Sequence, residues 1–345
     1  MPIKGNHKLP SQITGDLDDA KLAGRADTAA DVRRPRISIL AVGLILLVAA
    51  IWSTVAGMGL LGWDPHAYYS LLQEKTWLDT YPFEPTLFLV ATAAHPWSFP
   101  SYIFVVITIS LSILLIAFWR LKYTPLDQSI LILFFSCSFY GLHFMVAFQR
   151  QFLGIVLFLL AISAGPGRIP ARIGSLFSQL FTVNLHIFWA ASRLRPRTAS
   201  LLGLMLVAVA GFYRNALASD PSSKSGSYGT YGEMFPVHLV IKQCLTILIA
   251  ILILTTLREG RSRLKSAAYA YITLSAPCLF WPFYAGMFSR MDYFFFPVII
   301  ALWPGYLKGD RRGLFRLTIV SFSIIGCYIW IKSNLACEVM GFCEF

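Results

Sequence analysis

Charged residues are scarce in this sequence of 345 residues, since Lys, Arg, Asp and Glu together make up 13% of it. Soluble globular chains carry about 25% charged residues, so this scarcity excludes a single soluble core. Hydrophobic residues reach 57%, which is the composition of a membrane protein with several spans. Acidic residues are scarcer still, 17 against 29 basic ones, and the net charge is +12.

The motifs of most soluble enzymes are also missing. The sequence has no nucleotide-binding glycine loop, no zinc-ligand spacing, no nucleophile elbow and no internal repeat. We therefore expect no cofactor and no metal. The basic residues do not form one patch, which argues against nucleic acid as a partner. They fall in short clusters between apolar runs, which is the positive-inside pattern of membrane proteins.

Apolar runs of about 20 residues cross the hydrocarbon as helices. We predict an all-α, polytopic integral membrane protein with about nine to eleven transmembrane helices. No cleavable signal peptide is evident, and residues 1–36 are expected to form a disordered basic tail in the cytoplasm. A membrane domain follows at 37–332, then a short outward-facing end at 333–345. Spans are predicted near 37–62, 100–120, 126–145, 147–164, 199–217, 237–257, 267–287, 292–307 and 314–332.

Two segments are harder to assign. Residues 86–97 are apolar but short, and residues 173–192 are long enough but unusually polar. If 86–97 dips into the outer face and 173–192 re-enters from inside, more basic residues lie on the cytoplasmic side than if both segments cross. The positive-inside pattern mildly favours the first arrangement and leaves the second open.

Three arginines contradict the positive-inside pattern, because the predicted spans put them near outer ends. They are Arg150, Arg214 and Arg290. A guanidinium keeps its proton, and burying one beside hydrocarbon costs several kcal/mol without a partner or water. Contact with lipid phosphates explains any one of them. Three near one face favour a site for an anion, and the arginine fork suits phosphate or diphosphate oxygens.

Polar side chains accompany two of these arginines. Gln149 and Gln151 flank Arg150, and Tyr293 lies one helical turn after Arg290. These three residues are candidates for substrate binding. Aromatic rings at such a depth are also common as interface anchors.

Carboxylates are candidates for the chemistry of the site. Asp64 and Glu84 belong to the first outer loop, where they can deprotonate a hydroxyl group or hold a cation. The alternative for each is an ordinary polar loop. Asp292 is near enough in sequence to pair with Arg290.

A polar stripe is predicted in the polar segment. Ser175, Gln179, Thr182 and His186 follow spacings of four, three and four residues, which a continuous helix would align on one face. A histidine in a membrane is more often a structural hydrogen-bonding residue than a base. The stripe favours a position beside a hydrated cavity.

In their order and spacing, these residues resemble the EpsG family of bacterial exopolysaccharide proteins, within the wider class of Wzy-type polysaccharide polymerases. The likeness covers roughly residues 40–310. Its elements are Gly62, Asp64 and Tyr68 after the first span, Glu84-Pro85, Arg150-Gln151, His186, and Arg290 with Tyr293 and Phe294.

The resemblance implies a GT-C-like glycosyltransferase of the bacterial inner membrane, with a cytoplasmic N-terminus and an active site at the outer face. Its substrates would be a donor and an acceptor glycan carried on undecaprenyl diphosphate, and other polysaccharide-assembly proteins would be its partners. The expected diphosphate ligands are Arg150, Arg290 and Arg214. The expected base is Asp64 or Glu84, with His186 next, and the expected substrate contacts are Tyr68, Gln149, Gln151 and Tyr293.

Two other functions stay open. A transporter or flippase for an anionic lipid-linked sugar explains intramembrane arginines equally well. It predicts inverted repeats or paired broken spans, which the sequence does not reveal. A non-catalytic subunit of a polysaccharide export complex is the third possibility.

Overall fold

The computed structural model describes most of the chain between Arg36 and Trp330. Every regular element in the described ranges is a helix, as the predicted all-α class requires. The predictions for the N-terminal tail, for 202–236 and for the C-terminal end fall outside these ranges. The described residues are 36–59, 61, 63–75, 85–93, 98–146, 149–163, 165–179, 182–193, 198, 201, 237–257, 262–279, 282–307 and 309–330.

The described ranges contain thirteen α-helices. Two 3-10 turns, Ala276–Leu279 and Trp303–Tyr306, lie before and after the α-helix Pro282–Leu302. In chain order the helices are α1 (Ile39–Gly57), α2 (Trp63–Glu74), α3 (Thr86–Ala93), α4 (Phe99–Arg120), α5 (Pro125–Cys137), α6 (Phe139–Val146), α7 (Gln149–Ile162), α8 (Arg168–Leu176), α9 (Thr182–Ala191), α10 (Val237–Thr256), α11 (Arg263–Ser275), α12 (Pro282–Leu302) and α13 (Arg311–Trp330).

Among the described residues, three helices are long and apolar enough to cross a membrane, namely α1, α4 and α13. A fourth crossing results if α5 and α6, which meet at an angle of 64°, count as one bent span. The bend lies at Ser138, whose extended backbone ends α5. The bounds of α4 and α10 agree with the predicted spans to within one residue.

One end of the helix bundle, here called the basic end, is held together by arginines. At this end Arg120 donates to the carbonyl of Pro166 at 2.6 Å, and Arg263 donates to the carbonyl of Trp189 at 3.2 Å. Cations at helix C-termini are favourable because the last carbonyls lack intrahelical partners. Similar bonds join Arg168 to Ala161, Arg311 to Thr256 and Arg316 to Asp127.

These bonds bring the basic clusters of the sequence to the same end of the bundle. The connection between α4 and α5 lies there too, because the Tyr123 hydroxyl donates to the carbonyl of Ala301 at 2.9 Å. Burial raises the pKa of the Tyr123 phenol above its ordinary value. The start of α1 is also at this end, because the Ser38 N–H donates to Gln128 Oε1 at 3.0 Å.

The other end of the bundle, called here the opposite end, collects the far termini of the long helices. The Ser53 hydroxyl donates to the carbonyl of Pro100 at 3.0 Å, which joins the end of α1 to the start of α4. The rings of Trp52 and Trp330 pack edge to face with centroids 6.3 Å apart, which joins α1 to the end of α13. The first turn of α7 lies at this end, since Tyr102 of α4 donates to Gln149.

Residues 168–191 form a helical hairpin that starts and ends at the basic end. Its two helices, α8 and α9, have 9 and 10 residues, so each rises only about 15 Å. The short α3 comes towards its tip, where the Thr86 N–H donates to the carbonyl of Phe177 at 3.3 Å. Such a hairpin is the geometry that re-entry from one side requires.

Two expectations about helix bounds are wrong. The predicted stripe on one continuous helix is divided, because α8 ends at Leu176 and α9 begins only at Thr182. The predicted spans 267–287 and 292–307 are replaced by α11, a 3-10 turn and α12. Pro277 and Pro282 explain the second difference, because proline favours turns and the first position of a helix. Arg290 therefore lies within α12 and not at the end of a span.

Candidate functional site

Arg150 lies in the first turn of α7, against the aromatic ring of Tyr68 from α2. Its Cζ atom is 4.9 Å from the ring centroid, within the range of a cation–π contact. Tyr68 is buried, and its ring also packs edge to face on Phe88 of α3 with centroids 6.2 Å apart. The contact therefore brings together two elements that the sequence resemblance had singled out separately.

The two glutamines beside Arg150 differ in their surroundings. Gln149 is fully engaged, since its Oε1 accepts from the Tyr102 hydroxyl at 3.0 Å and its Nε2 donates to the carbonyl of Met145. Gln151 is 6% exposed, and within the described ranges its Oε1 has no hydrogen-bond partner. The structure thus gives Gln149 a packing role and leaves Gln151 with hydrogen-bonding capacity for a ligand.

Tyr293 belongs to an aromatic cluster next to α6. Its ring lies 5.3 Å from that of His143 and 6.1 Å from that of Phe144, measured between centroids. Phe144 in turn stacks on Phe152 of α7 at 5.2 Å. Phe144 therefore connects the Tyr293 cluster to the helix that carries Arg150. Arg290 stands three residues before Tyr293 in α12, and its side chain lies outside the described part of the protein.

Asp292 is the centre of a buried ionic network. It is 0% exposed, and its Oδ2 accepts from Lys242 Nζ at 2.7 Å and from the Tyr140 hydroxyl at 2.6 Å. Its Oδ1 accepts from the Tyr271 hydroxyl at 2.6 Å. A buried charge is stable only when it is paired and hydrogen-bonded, and this carboxylate has three donors. The network joins α6, α10, α11 and α12.

The Lys242 ammonium is enclosed by aromatic rings as well as by the carboxylate. Its Nζ lies 5.4 Å from the ring centroids of Phe139 and Tyr140, and 5.3 Å from that of Tyr293. Among the described side chains, the cationic partner of Asp292 is Lys242 from another helix, whereas the predicted pairing with Arg290 involves a side chain outside the described part of the protein. Lys242 was missed, although a lysine inside the apolar run of α10 meets the same criterion that singled out Arg150.

His186 is held by the hairpin. Its Nε2 lies 3.3 Å from the Ser175 hydroxyl oxygen, and its ring packs edge to face on Phe158 of α7 at 4.9 Å. Phe158 is eight residues after Arg150 in a helix, so the two levels are about 12 Å apart along α7. The structure therefore does not bring His186 to the Arg150 site, and its contacts are those of a structural histidine.

The remaining predicted residues are only partly covered by the structure. Asp64 lies in the first turn of α2, four residues before Tyr68, and its side chain is not among the described ones. Glu84 and Arg214 lie outside the described residues altogether. Among the residues that the structure does describe, no group of three His, Cys, Asp or Glu side chains is arranged to hold a metal ion.

A separate cavity of about 590 Å³ lies along α8 at the basic end. Arg168 and Arg172 line it together with Ile169 and Ile173, and the two isoleucines are 74% and 51% exposed. Apolar and basic side chains side by side are typical of a helix at a membrane interface. The cavity does not include Arg150, and we assign no chemistry to it.

Comparisons of this chain with protein-family models, with curated proteins and with solved structures found no match.

Proposed function

We propose that this chain is a polytopic membrane glycosyltransferase of the GT-C-like type that joins glycan repeat units carried on undecaprenyl diphosphate at the outer face of a bacterial inner membrane. The contact between Arg150 and Tyr68 carries the proposal. It places an arginine that contradicts the positive-inside pattern at the opposite end, far from the arginines of the basic end. It also joins two elements of the resemblance to EpsG and Wzy-type polymerases.

The proposed step exchanges one bond for another. The acceptor hydroxyl oxygen bonds to the anomeric carbon of the donor, the bond from that carbon to the diphosphate breaks, and undecaprenyl diphosphate leaves with the electron pair. Arg150 stabilises the charge that develops on the diphosphate, aided by Arg290 and Arg214. One such donor contributes about 3 kcal/mol, equivalent to a factor of roughly 10²–10³ in rate. The proton of the acceptor goes to Asp64 or Glu84.

The test compares two substitutions of the same residue. A bacterial strain that lacks the chain is complemented with Arg150→Ala or Arg150→Lys, and polymer length and protein level are measured. We expect both variants to fail, because a lysine point charge does not replace a planar fork on a diphosphate. Arg120→Lys is the matched control, since Arg120 is half-buried and binds a carbonyl at the basic end. Normal polymer from a well-expressed Arg150→Ala variant would contradict the proposal.

A second function, transport of an anionic lipid-linked sugar, is favoured by one observation. The half-length helices α3, α8 and α9 meet between the two ends of the bundle, and interrupted helices of this kind line the binding sites of many transporters. The two functions differ in where lipid-linked repeat units accumulate when Arg150 is replaced. A lost polymerase leaves single units at the outer leaflet, whereas a lost transporter leaves them at the cytoplasmic leaflet.

A further inference from the structure

Three chain segments meet between the two ends of the bundle, at the tip of the hairpin. The Thr86 hydroxyl at the start of α3 donates to the carbonyl of Gly174 at 3.0 Å, and the Thr86 N–H donates to Phe177. The Ser175 hydroxyl donates to the carbonyl of Gly154 in α7 at 2.8 Å. The tip of the hairpin is thus bound on one side to α3 and on the other to α7.

The hydroxyl groups of the tip are all used within the protein. The hydroxyls of Ser178 and Thr182 donate to the carbonyl of Ser175 at 2.7 Å and 2.6 Å. Short polar side chains that bond to nearby carbonyls in this way favour a turn over a continuous helix. Gly154 lets the tip approach closely, because an added Cβ would lie 2.5 Å from Ser178 Oγ.

The side-chain amides of two glutamines at this junction are less completely hydrogen-bonded than these hydroxyl groups. Gln151 lies one turn before Gly154 on the same face of α7, and Gln179 lies in the turn between Ser178 and Thr182. The Oε1 atoms of Gln151 and Gln179 are both buried and have no hydrogen-bond partner among the residues that the structure describes. Gln149 and Gln128, by contrast, each accept and donate through their side-chain amides.

The chemistry of these amides indicates the kind of ligand. A glutamine side chain both accepts and donates hydrogen bonds, which matches hydroxyl groups that also do both. Gln151 directly follows Arg150, so an arginine that can bind an anion and an amide that can bind hydroxyl groups are neighbours in the sequence at the start of α7. A sugar attached to a phosphate carries the complementary groups, an anion beside a set of hydroxyl groups.

Building on the function proposed above, we infer that the tip of the hairpin and the first turn of α7 form the subsite for the sugar of the donor. Gln151 and Gln179 bind its hydroxyl groups, and Arg150 binds the attached diphosphate. Ser175, Ser178 and Thr182 hold the tip in place through their carbonyl contacts and do not touch the ligand.

The experiment separates the sugar from the lipid carrier. The purified full-length chain in lipid nanodiscs is titrated with undecaprenyl diphosphate and with undecaprenyl diphosphate that carries one hexose, and bound lipid is counted by native mass spectrometry. Gln151→Met and Gln179→Met keep side-chain volume and remove the amide. We expect each to lower affinity for the hexose-bearing lipid about tenfold and to leave affinity for the bare lipid unchanged.

A melting curve of each empty variant shows whether the amides have a structural role instead. Replacing an amide whose buried oxygen lacks a partner among the described residues with methionine should raise the melting temperature or leave it unchanged. A lower melting temperature together with equal loss of both lipids would overturn the subsite. Equal affinity of the methionine variants and the wild type for the hexose-bearing lipid would overturn it as well.

The bare lipid tests the proposed function independently. If it binds and Arg150→Ala abolishes the binding, while the methionine variants change nothing, the subsite is wrong and the function stands. If neither lipid binds the wild-type chain, the proposed function and the subsite both fail.

Discussion

The basic end and the buried ionic network use the same kinds of charge in opposite ways. At the basic end Arg316 Nε lies 2.8 Å from Asp127 Oδ1, and the arginine side chain is still 30% exposed although the aspartate is only 1% exposed. In the network Lys242 and Asp292 are 2.7 Å apart and are 4% and 0% exposed. In the first pair the arginine remains partly accessible to solvent, whereas in the second pair both side chains are almost completely shielded from solvent.

This difference helps to decide which charged residues need a functional explanation and which are explained by their structural contacts. Most of the described arginine contacts at the basic end are with backbone carbonyls near helix termini, which lack intrahelical partners, so the capping of helices explains them. A desolvated lysine and aspartate are costly, and hydrophobic residues of equal size would often be as stable. Lys242 and Asp292 therefore call for an explanation beyond packing. They hold α12 against α6 and α10, and thereby fix the helix that carries Tyr293 and Arg290.

The largest expected effect comes from breaking the buried pair. Lys242→Met alone leaves a buried carboxylate and Asp292→Asn alone leaves a buried ammonium, so each should cost about 3–5 kcal/mol of stability. The double variant removes both charges and keeps an amide for Tyr140 and Tyr271. It should recover most of the loss in thermal unfolding in detergent. A double variant as unstable as the sum of the singles would show that the charges do not act as a pair.

The next effect concerns the close contact under the hairpin tip. Gly154→Ala should destabilise the protein by about 1–3 kcal/mol, because the new methyl group would overlap Ser178 and Thr182. Gly43→Ala is the matched control, since nothing lies within 4 Å of its Cβ position and alanine favours a helix. The control should be neutral or stabilising by up to about 1 kcal/mol. Equal melting temperatures for the two variants would contradict the packing described.

At the basic end the corresponding change should be milder. Asp127→Asn removes the charge that Arg316 contacts and keeps an acceptor for the Thr124 hydroxyl. We expect a loss of about 1–3 kcal/mol, the range for a hydrogen bond to a charged group. Asp310→Asn, at an exposed position in the same region, is the control. A loss as large as that of Asp292→Asn would remove the contrast between the two regions.

Salt should have the smallest effect and separate the two regions directly. Raising the salt concentration from 0.05 M to 0.5 M screens exposed charges but acts weakly on buried ones. The stability difference between wild type and Asp127→Asn should therefore shrink by a few tenths of a kcal/mol at high salt. The difference for Asp292→Asn should not change. Both stability differences are measured by thermal unfolding. If salt reduced the loss caused by Asp292→Asn as much as the loss caused by Asp127→Asn, water would have to reach the buried network.

Much of the helix pattern was predictable from local sequence. The apolar runs of α4 and α10 end where polar or capping residues begin, so their bounds followed from span length. The position of Arg150 at the start of a helix followed in the same way. The division of the polar stripe did not, because it depends on Ser178 and Thr182 bonding to one carbonyl and on the close approach to Gly154.

The partners of the buried charges could not be predicted from the sequence pattern. Asp292 and Lys242 lie in different helices, and periodicity within a helix carries no information about which neighbour it meets. Their two tyrosine partners come from two further helices. A search for every charge inside an apolar run would have found Lys242 without its partner.

The pairing of Lys242 with Asp292 also has a consequence for biosynthesis. The two residues are 50 positions apart, and ribosomes add about 5–20 residues per second. The lysine is therefore synthesised about 3–10 s before its carboxylate partner exists. During this interval the ammonium of α10 depends on water or on another partner for its solvation. A nascent chain that stops before α12 keeps a lysine without this partner.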